Sequence, residues 1–356
     1  MAWTRENSDG NESAKIRWEI PQYTRGLGLD VGCGAEKCYP HMIGIDNRKD
    51  TLLLNVKMDP DLTVPDACEL PMFATGSMDF VFSSHLLEHI EDHKKALKEW
   101  WRLVKEGGHL VLYLPHKLLY PNIGTEGTNP DHKHDFMEKD IVEAMKGMTE
   151  HGGWDLLRNE RRNQDDEYSF FQVYRKRQDD QCKQLWSGPK PKKTCGIVRY
   201  GAFGDLIQTS SILPGLKEQG YHITLHTTPR GYEVIKHEPL IDEIVLQDTD
   251  QVPNQALGEF WAHLKKKYDK FVNLSESTEA TWLAIPNRIQ FQWPHEVRKK
   301  HMNGNYLEFC HVLAGVPYTK PMMRFFATEL ELAEATILKE KIDASPTIMW
   351  VLSGSS

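Results

Sequence analysis

Gly28-Leu29-Asp30-Val31-Gly32-Cys33-Gly34 decides the reading of this chain. A short apolar run carries an acid, Asp30, into two glycines two positions apart, at the point where a strand would hand over to a helix. Glycine at such a turn permits positive φ and lets backbone approach a ligand closely, which a side chain would block. An ordinary βα loop with two glycines would look the same, so the neighbours must decide. A second apolar run, Met42-Ile43-Gly44-Ile45, ends in Asp46. A doubly wound nucleotide-binding sheet places there the carboxylate that accepts hydrogen bonds from ribose hydroxyls. The dinucleotide pattern asks for a third glycine, where this chain has Lys37, and for an acid about 20 residues on. Asp46 comes too early for that. A ligand with a ribose and no phosphates, such as S-adenosylmethionine, fits the spacing better than a pyrophosphate.

Further along, Asp66-Ala67 precedes Leu70-Pro71, and Met78 to Phe82 alternates like a buried strand ending at Ser83-Ser84-His85. Asp92 to Lys105 carries an apolar stripe at Ala96, Leu97, Trp100, Trp101 and Val104, with Glu106-Gly107-Gly108 as its glycine stop. Leu110 to Leu114 is the next strand, ending in Pro115-His116. Asp140 to Met148 reads as a helix, and the runs 154–161 and 168–175 as an antiparallel pair closing the domain edge.

With these motifs quoted, residues 15–177 resemble a class I S-adenosylmethionine-dependent methyltransferase of type 11. They carry the glycine motif, IGID, SSHLLEH and KEGGHLVLYLPH in its order. The resemblance implies a Rossmann-like α/β sheet with S-adenosylmethionine as cofactor, contacted by Asp30, Gly32, Cys33, Gly34, Asp46, Asp66, Ala67 and Ser83. Within it Asp66 and the Ala67 amide would meet the adenine. His85 and His116, at strand ends over the methyl group, are the candidate bases. Asp131-His132-Lys133-His134-Asp135 could meet a polar substrate or a metal, or be an exposed loop. His85-Leu86-Leu87-Glu88-His89 also matches H-x-x-E-H, in which two histidines on one helix face bind zinc. Its place inside a methyltransferase frame argues against that chemistry, and no bound metal is expected.

Two domains suit 356 residues, 26% charged and 40% apolar. Residues 1–14 read as a disordered tail and 178–194 as a linker. Residues 195–356 form a second Rossmann-like unit opening on Cys195 to Tyr200, a Gly201-Ala202-Phe203-Gly204-Asp205 turn and a helix. IVRYGAFGDLIQTSSILPGLKEQG, with Tyr268 to Leu274, resembles the heptosyltransferase-like (family 9) glycosyltransferases. That resemblance implies an acceptor site at Gly201 and Gly204 with Asp205 as its catalytic base. The family's second, donor-binding half would begin where this chain stops, so the unit is expected to be truncated.

No apolar run reaches the length of a membrane span, and the polar N-terminus lacks a signal-peptide core. A cytoplasmic protein is expected. Six cysteines without a CxxC pair suggest reduced thiols, and a net charge of −8 argues against a nucleic-acid partner. The expected substrate is a small molecule or glycan. The function that follows is methylation of a sugar or glycan intermediate in surface polysaccharide biosynthesis. A non-catalytic glycan-binding protein, or a bifunctional enzyme missing its C-terminal part, is the alternative. Oligomeric state is left open.

Overall fold

The computed structural model describes residues 12–49, 52–53, 56–148, 153–164, 166–177, 193–275, 294–302, 305–319 and 321–342. The expected tail and linker fall almost wholly outside the described residues, as does 343–356.

The first sheet has seven strands: β1 (Gly28–Val31), β2 (Ile43–Asp46), β3 (Leu62–Thr63), β4 (Met78–Ser84), β5 (Val104–Pro115), β6 (Trp154–Arg162) and β7 (Ser169–Lys176). Their order is β3-β2-β1-β4-β5-β7-β6. Pairing is parallel from β3 through β5, and β7 runs antiparallel to both β5 and β6. Strand order therefore reverses between β1 and β4. In such a sheet ligands sit outside the carboxyl ends of the strands at that reversal, where the Gly32 turn lies.

Alternation along β5 shows how both faces are covered. Leu110, Leu112 and Leu114 pack with Leu97, Trp100 and Trp101 of α2 (His93–Leu103) and with Ile141 and Met145 of α3 (Glu138–Lys146). Val111 and Tyr113 point the other way, as the two-residue period requires, onto Ile16, Trp18 and Ile20. Asp92 caps α2 by accepting from the Lys95 amide at 2.9 Å. The glycine stop expected at Gly107 is displaced: α2 ends at Leu103, and Gly107, at φ 75°, belongs to β5.

The helix expected after the Gly32 turn is absent. Residues 32–42 run as turns and bends, with Pro40 in their midst, and reach β2 directly. That face is covered instead by the segment around Trp18 and by α7 (Leu257–Lys265), whose Phe260, Trp261 and Leu264 join the same core. Trp18 packs against Phe260, and Tyr23 against His109 and Phe171. Gln251 donates to the Pro21 and Thr24 carbonyls at 2.6 and 3.0 Å, and Asp248 accepts from the Gly26 amide and Arg25 at 2.8 and 2.9 Å. The two units thus share one apolar core.

The second sheet holds β8 (Thr194–Val198), β9 (His222–Thr227), β10 (Glu243–Leu246) and β11 (Lys270–Asn273) in the order β10-β9-β8-β11, all parallel. Cys195, Ile197 and Leu225 meet Leu206 of α4 (Phe203–Thr209) and Leu213 beneath it. A parallel sheet of this kind serves many chemistries and does not by itself assign the glycosyltransferase resemblance. No described helix is long and apolar enough to cross a membrane. The described cysteines are buried free thiols.

Candidate active site

The first turn is built by backbone. Gly32 and Cys33 both donate to the Ile45 carbonyl, at 2.8 and 3.2 Å, which folds the end of β1 against β2. Gly32 and Gly34 take φ of 78° and 60°, where a side chain is strained. A Cβ on Gly32 would also lie 2.8 Å from the Leu86 side chain. At the end of β2 the Asp46 carboxylate accepts from the Gly34 amide and the Arg48 amide, each at 3.1 Å. It is thereby fixed beside the turn.

The other expected cofactor residues divide. Asp30 is 3% exposed and accepts from the Cys38 amide at 2.7 Å; burial pushes its carboxyl up to about 7. It braces the 32–42 loop from inside. Cys33 is buried, with its thiol driven up by burial and by the nearby carboxylates. Ser83, fully buried, donates to the Val31 carbonyl at 2.9 Å and ties β4 to β1. Asp66 is exposed and caps its own turn through the Cys68 amide, while the Ala67 carbonyl accepts from Trp100. Of the expected cofactor residues, Gly32, Gly34 and Asp46 meet in one turn, and Asp66 is left exposed.

On the substrate side, the candidate bases fare differently. His116 is fully buried; its Nδ1 accepts from the Leu118 amide at 3.1 Å and its Nε2 lies 2.9 Å from Glu138. Both nitrogens are engaged, so His116 is a tether and not a base. His85 sits at the end of β4 with φ 48°, an unusual conformation for a residue with a Cβ. Its Nε2 is 2.8 Å from Ser169 Oγ, and burial pushes the imidazole well below its ordinary range. Burial thus disfavours its charged form, and one ring nitrogen is engaged by Ser169.

His85 to His89 do not form the helix face that the zinc motif requires. Only Leu87–His89 make a single 3-10 turn. The chain nevertheless gathers a cluster from distant loops. Glu88, His89 and His132 place one ligand atom each within 4.8 Å of one another. Glu88 is fully buried, neither carboxylate oxygen has a hydrogen-bond partner among the described residues, and burial pushes the group up to about 8. His134 is placed elsewhere: its Nε2 lies 3.0 Å from the Ile90 and Glu91 carbonyls and its ring stacks on Phe136. Sequence reading met Glu88 only as the glutamate of H-x-x-E-H and set a metal aside; the further signal was a carboxylate among Leu86, Leu87 and Ile90.

The second turn is closed by side chains. Asp205 accepts from the Ala202 amide at 2.8 Å and from Arg199 at 2.6 Å. Arg199 is 2% exposed and also donates to the Leu274 carbonyl and Tyr306. A carboxylate so occupied caps α4 and balances a buried cation; it is poorly placed as a base. Gly201 is explained by that contact, since a Cβ there would meet the Asp205 carboxylate at 2.2 Å. Gly204 is exposed and faces open space.

Residues 29–112 match the family model described as a methyltransferase domain. The chain carries a methyltransferase domain. With that domain come enzymatic methyl transfer and S-adenosylmethionine as the cofactor. No curated protein matches the sequence. Among solved structures, the chain is similar to a SAM-dependent methyltransferase from Archaeoglobus fulgidus, at 16% identity and TM-score 0.37 over 49% of this chain and 95% of that one. It is also similar to a chain of the Haloferax volcanii complex between the Trm112 methyltransferase activator and a methyltransferase, at 16% identity and TM-score 0.38 over 49% and 94%. Phosphoethanolamine N-methyltransferase 2 of Haemonchus contortus, in complex with S-adenosyl-L-methionine, is 24% identical with TM-score 0.31 over 41% and 37%.

Proposed function

We propose that this methyltransferase acts on a hydroxyl-bearing sugar or glycan intermediate of surface polysaccharide, with the second unit presenting the acceptor. The observation that carries the donor half is Asp46, fixed at the end of β2 against the Gly34 amide beside two left-handed glycines. The cradle suits S-adenosylmethionine in that two left-handed glycines, with no side chain to block a ligand, sit beside a fixed strand-end carboxylate. When bound, S-adenosylmethionine supplies an electrophilic methyl group. Asp46 would accept from the ribose hydroxyls, and Asp66 from the adenine. Positioning of donor and acceptor supplies most of the rate gain in a transfer of this kind. His85, which follows the end of β4, is the candidate base. The glycan part of the reading is supported by the resemblance of residues 195–356 to heptosyltransferase-like enzymes. Because Asp205 is committed to Arg199, the second unit serves binding and not sugar transfer.

Titration calorimetry with S-adenosylmethionine tests the donor half. Asp46→Ala removes the hydrogen-bond acceptor and should weaken binding by about 1–3 kcal/mol. Unchanged affinity in that variant would sink the assignment. For the acceptor half, sugar nucleotides and glycolipid precursors are offered with labelled donor; transfer to none of them, with transfer to a non-sugar acceptor, overturns the glycan reading.

A further inference from the structure

We infer that Glu88, His89 and His132 form a site for a divalent transition-metal ion, placed to hold and acidify the methyl acceptor. A role for the ion in the reaction rests on the methyltransferase reading; the site itself does not.

Three observations carry it. Glu88 is fully buried and its two carboxylate oxygens have no hydrogen-bond partner among the described residues, a costly arrangement unless a cation completes it. Its Oε1 lies 3.8 Å from His89 Nε2, 3.8 Å from His85 Nδ1 and 4.0 Å from His132 Nε2. Those separations are too long for hydrogen bonds. They suit ligands around a shared ion, whose bonds to nitrogen and oxygen run about 2.0–2.2 Å.

The frame around the cluster is built before any ion arrives. Glu88 and His89 come from the turn after β4, and His132 comes from the loop after β5. The Lys133 and His134 amides both donate to the Glu88 carbonyl, at 2.7 and 3.2 Å, and so clamp the two loops together. The His89 and His132 rings meet edge to face at 4.7 Å.

Two imidazoles and one carboxylate select borderline ions such as zinc, iron(II), cobalt(II) or manganese(II) over calcium and magnesium. Leu86, two residues before Glu88, packs over Gly32, so the ion would stand next to the donor turn. An acceptor hydroxyl that met it there would lose its proton to solvent water more readily. Its oxygen then forms the bond to the methyl carbon as the carbon–sulfur bond breaks, and the electron pair of that bond stays on sulfur.

The test uses the full chain stripped with chelator. Zinc titrated by calorimetry should bind one ion per chain, and cobalt(II) should give visible ligand-field bands. Glu88→Gln and His132→Ala should each weaken zinc by about 100-fold, while His93→Ala, outside the cluster, leaves it unchanged. Absence of saturable zinc binding and of cobalt bands in the unmodified chain overturns the site, whatever the variants do. Equal affinity in His132→Ala and the unmodified chain overturns it too, by showing an adventitious ion only. S-adenosylmethionine binding is measured on the metal-free chain, so its failure counts against the methyltransferase reading and not against this one.

Discussion

The two glycine turns of this chain look alike in sequence and are built in opposite ways. At Gly32 and Gly34 the glycines themselves are needed: both take left-handed φ, and a Cβ on Gly32 would also crowd Leu86. Amides and a strand-end carboxylate surround that turn, and no helix follows it. At Gly201 to Asp205 no glycine is left-handed, a helix follows at once, and Asp205 closes the turn onto Arg199. The first turn is closed by main-chain bonds and a strand-end carboxylate, the second by a side-chain ion pair with a buried cation. Motif spacing alone does not separate the two.

The comparison is open to direct attack. The largest effect is expected from Gly32→Ala, which combines a left-handed alanine with a clash against Leu86 and should cost about 3 kcal/mol of donor binding or stability. Calorimetry and a melting curve that both match the unmodified chain would show that the turn tolerates a side chain. Asp205→Ala should instead lower stability by about 2 kcal/mol, because the buried Arg199 loses its carboxylate, and leave donor affinity unchanged. Denaturant unfolding checks the first and calorimetry the second.

Acid should pull the two surroundings apart. Burial raises Asp30 to about 7, above its unfolded value, so the fold holds an extra proton and gains stability as pH falls from 7 towards 4. His226, in β9, is lowered to about 3 by burial and by Lys267, so the stability it contributes is present above pH 6.5 and is lost as pH falls towards 3. Each term is about 2 kcal/mol between pH 7 and 5. Asp30→Asn should make the chain more acid-sensitive and His226→Gln less so, read as melting temperature against pH; parallel profiles would refute the opposition. The smallest effect is expected at Gly204, exposed in α4 with open space around it. Gly204→Ala should stabilise by about 0.5 kcal/mol, and a loss above 1 kcal/mol would mean that this glycine is conformationally required after all.

Much of the architecture is written in local pattern. Met78 to Phe82, Leu110 to Leu114 and Ile43 to Asp46 are apolar runs ending in polar groups, and all lie in strands. In the second unit the Cys195 to Tyr200 opening and the Tyr268 to Leu274 stretch likewise hold strands of the sheet. Asp46 was legible as a strand-end carboxylate because its position depends only on the strand it ends. His116 and Asp205 were not, because the groups that occupy them, Glu138 and Arg199, meet them only in the folded chain. Glu88 and His132 are 44 residues apart and are joined by amides of one loop donating to a carbonyl of the other, which no periodicity reports. The missing helix after Gly34 was signalled faintly by Pro40, since proline inside a helix removes a hydrogen bond and clashes with the preceding turn.

The apolar core shared by Trp18, Phe82, Tyr113, Phe260 and Trp261 constrains how such a chain can be inherited. A module bounded by its own surface can be exchanged for another by recombination and still fold. Here a donor would leave behind an uncovered aromatic face, and a recipient would bring a helix shaped for some other sheet. A substitution on the apolar face of α7 therefore falls on the packing around Trp18 as well.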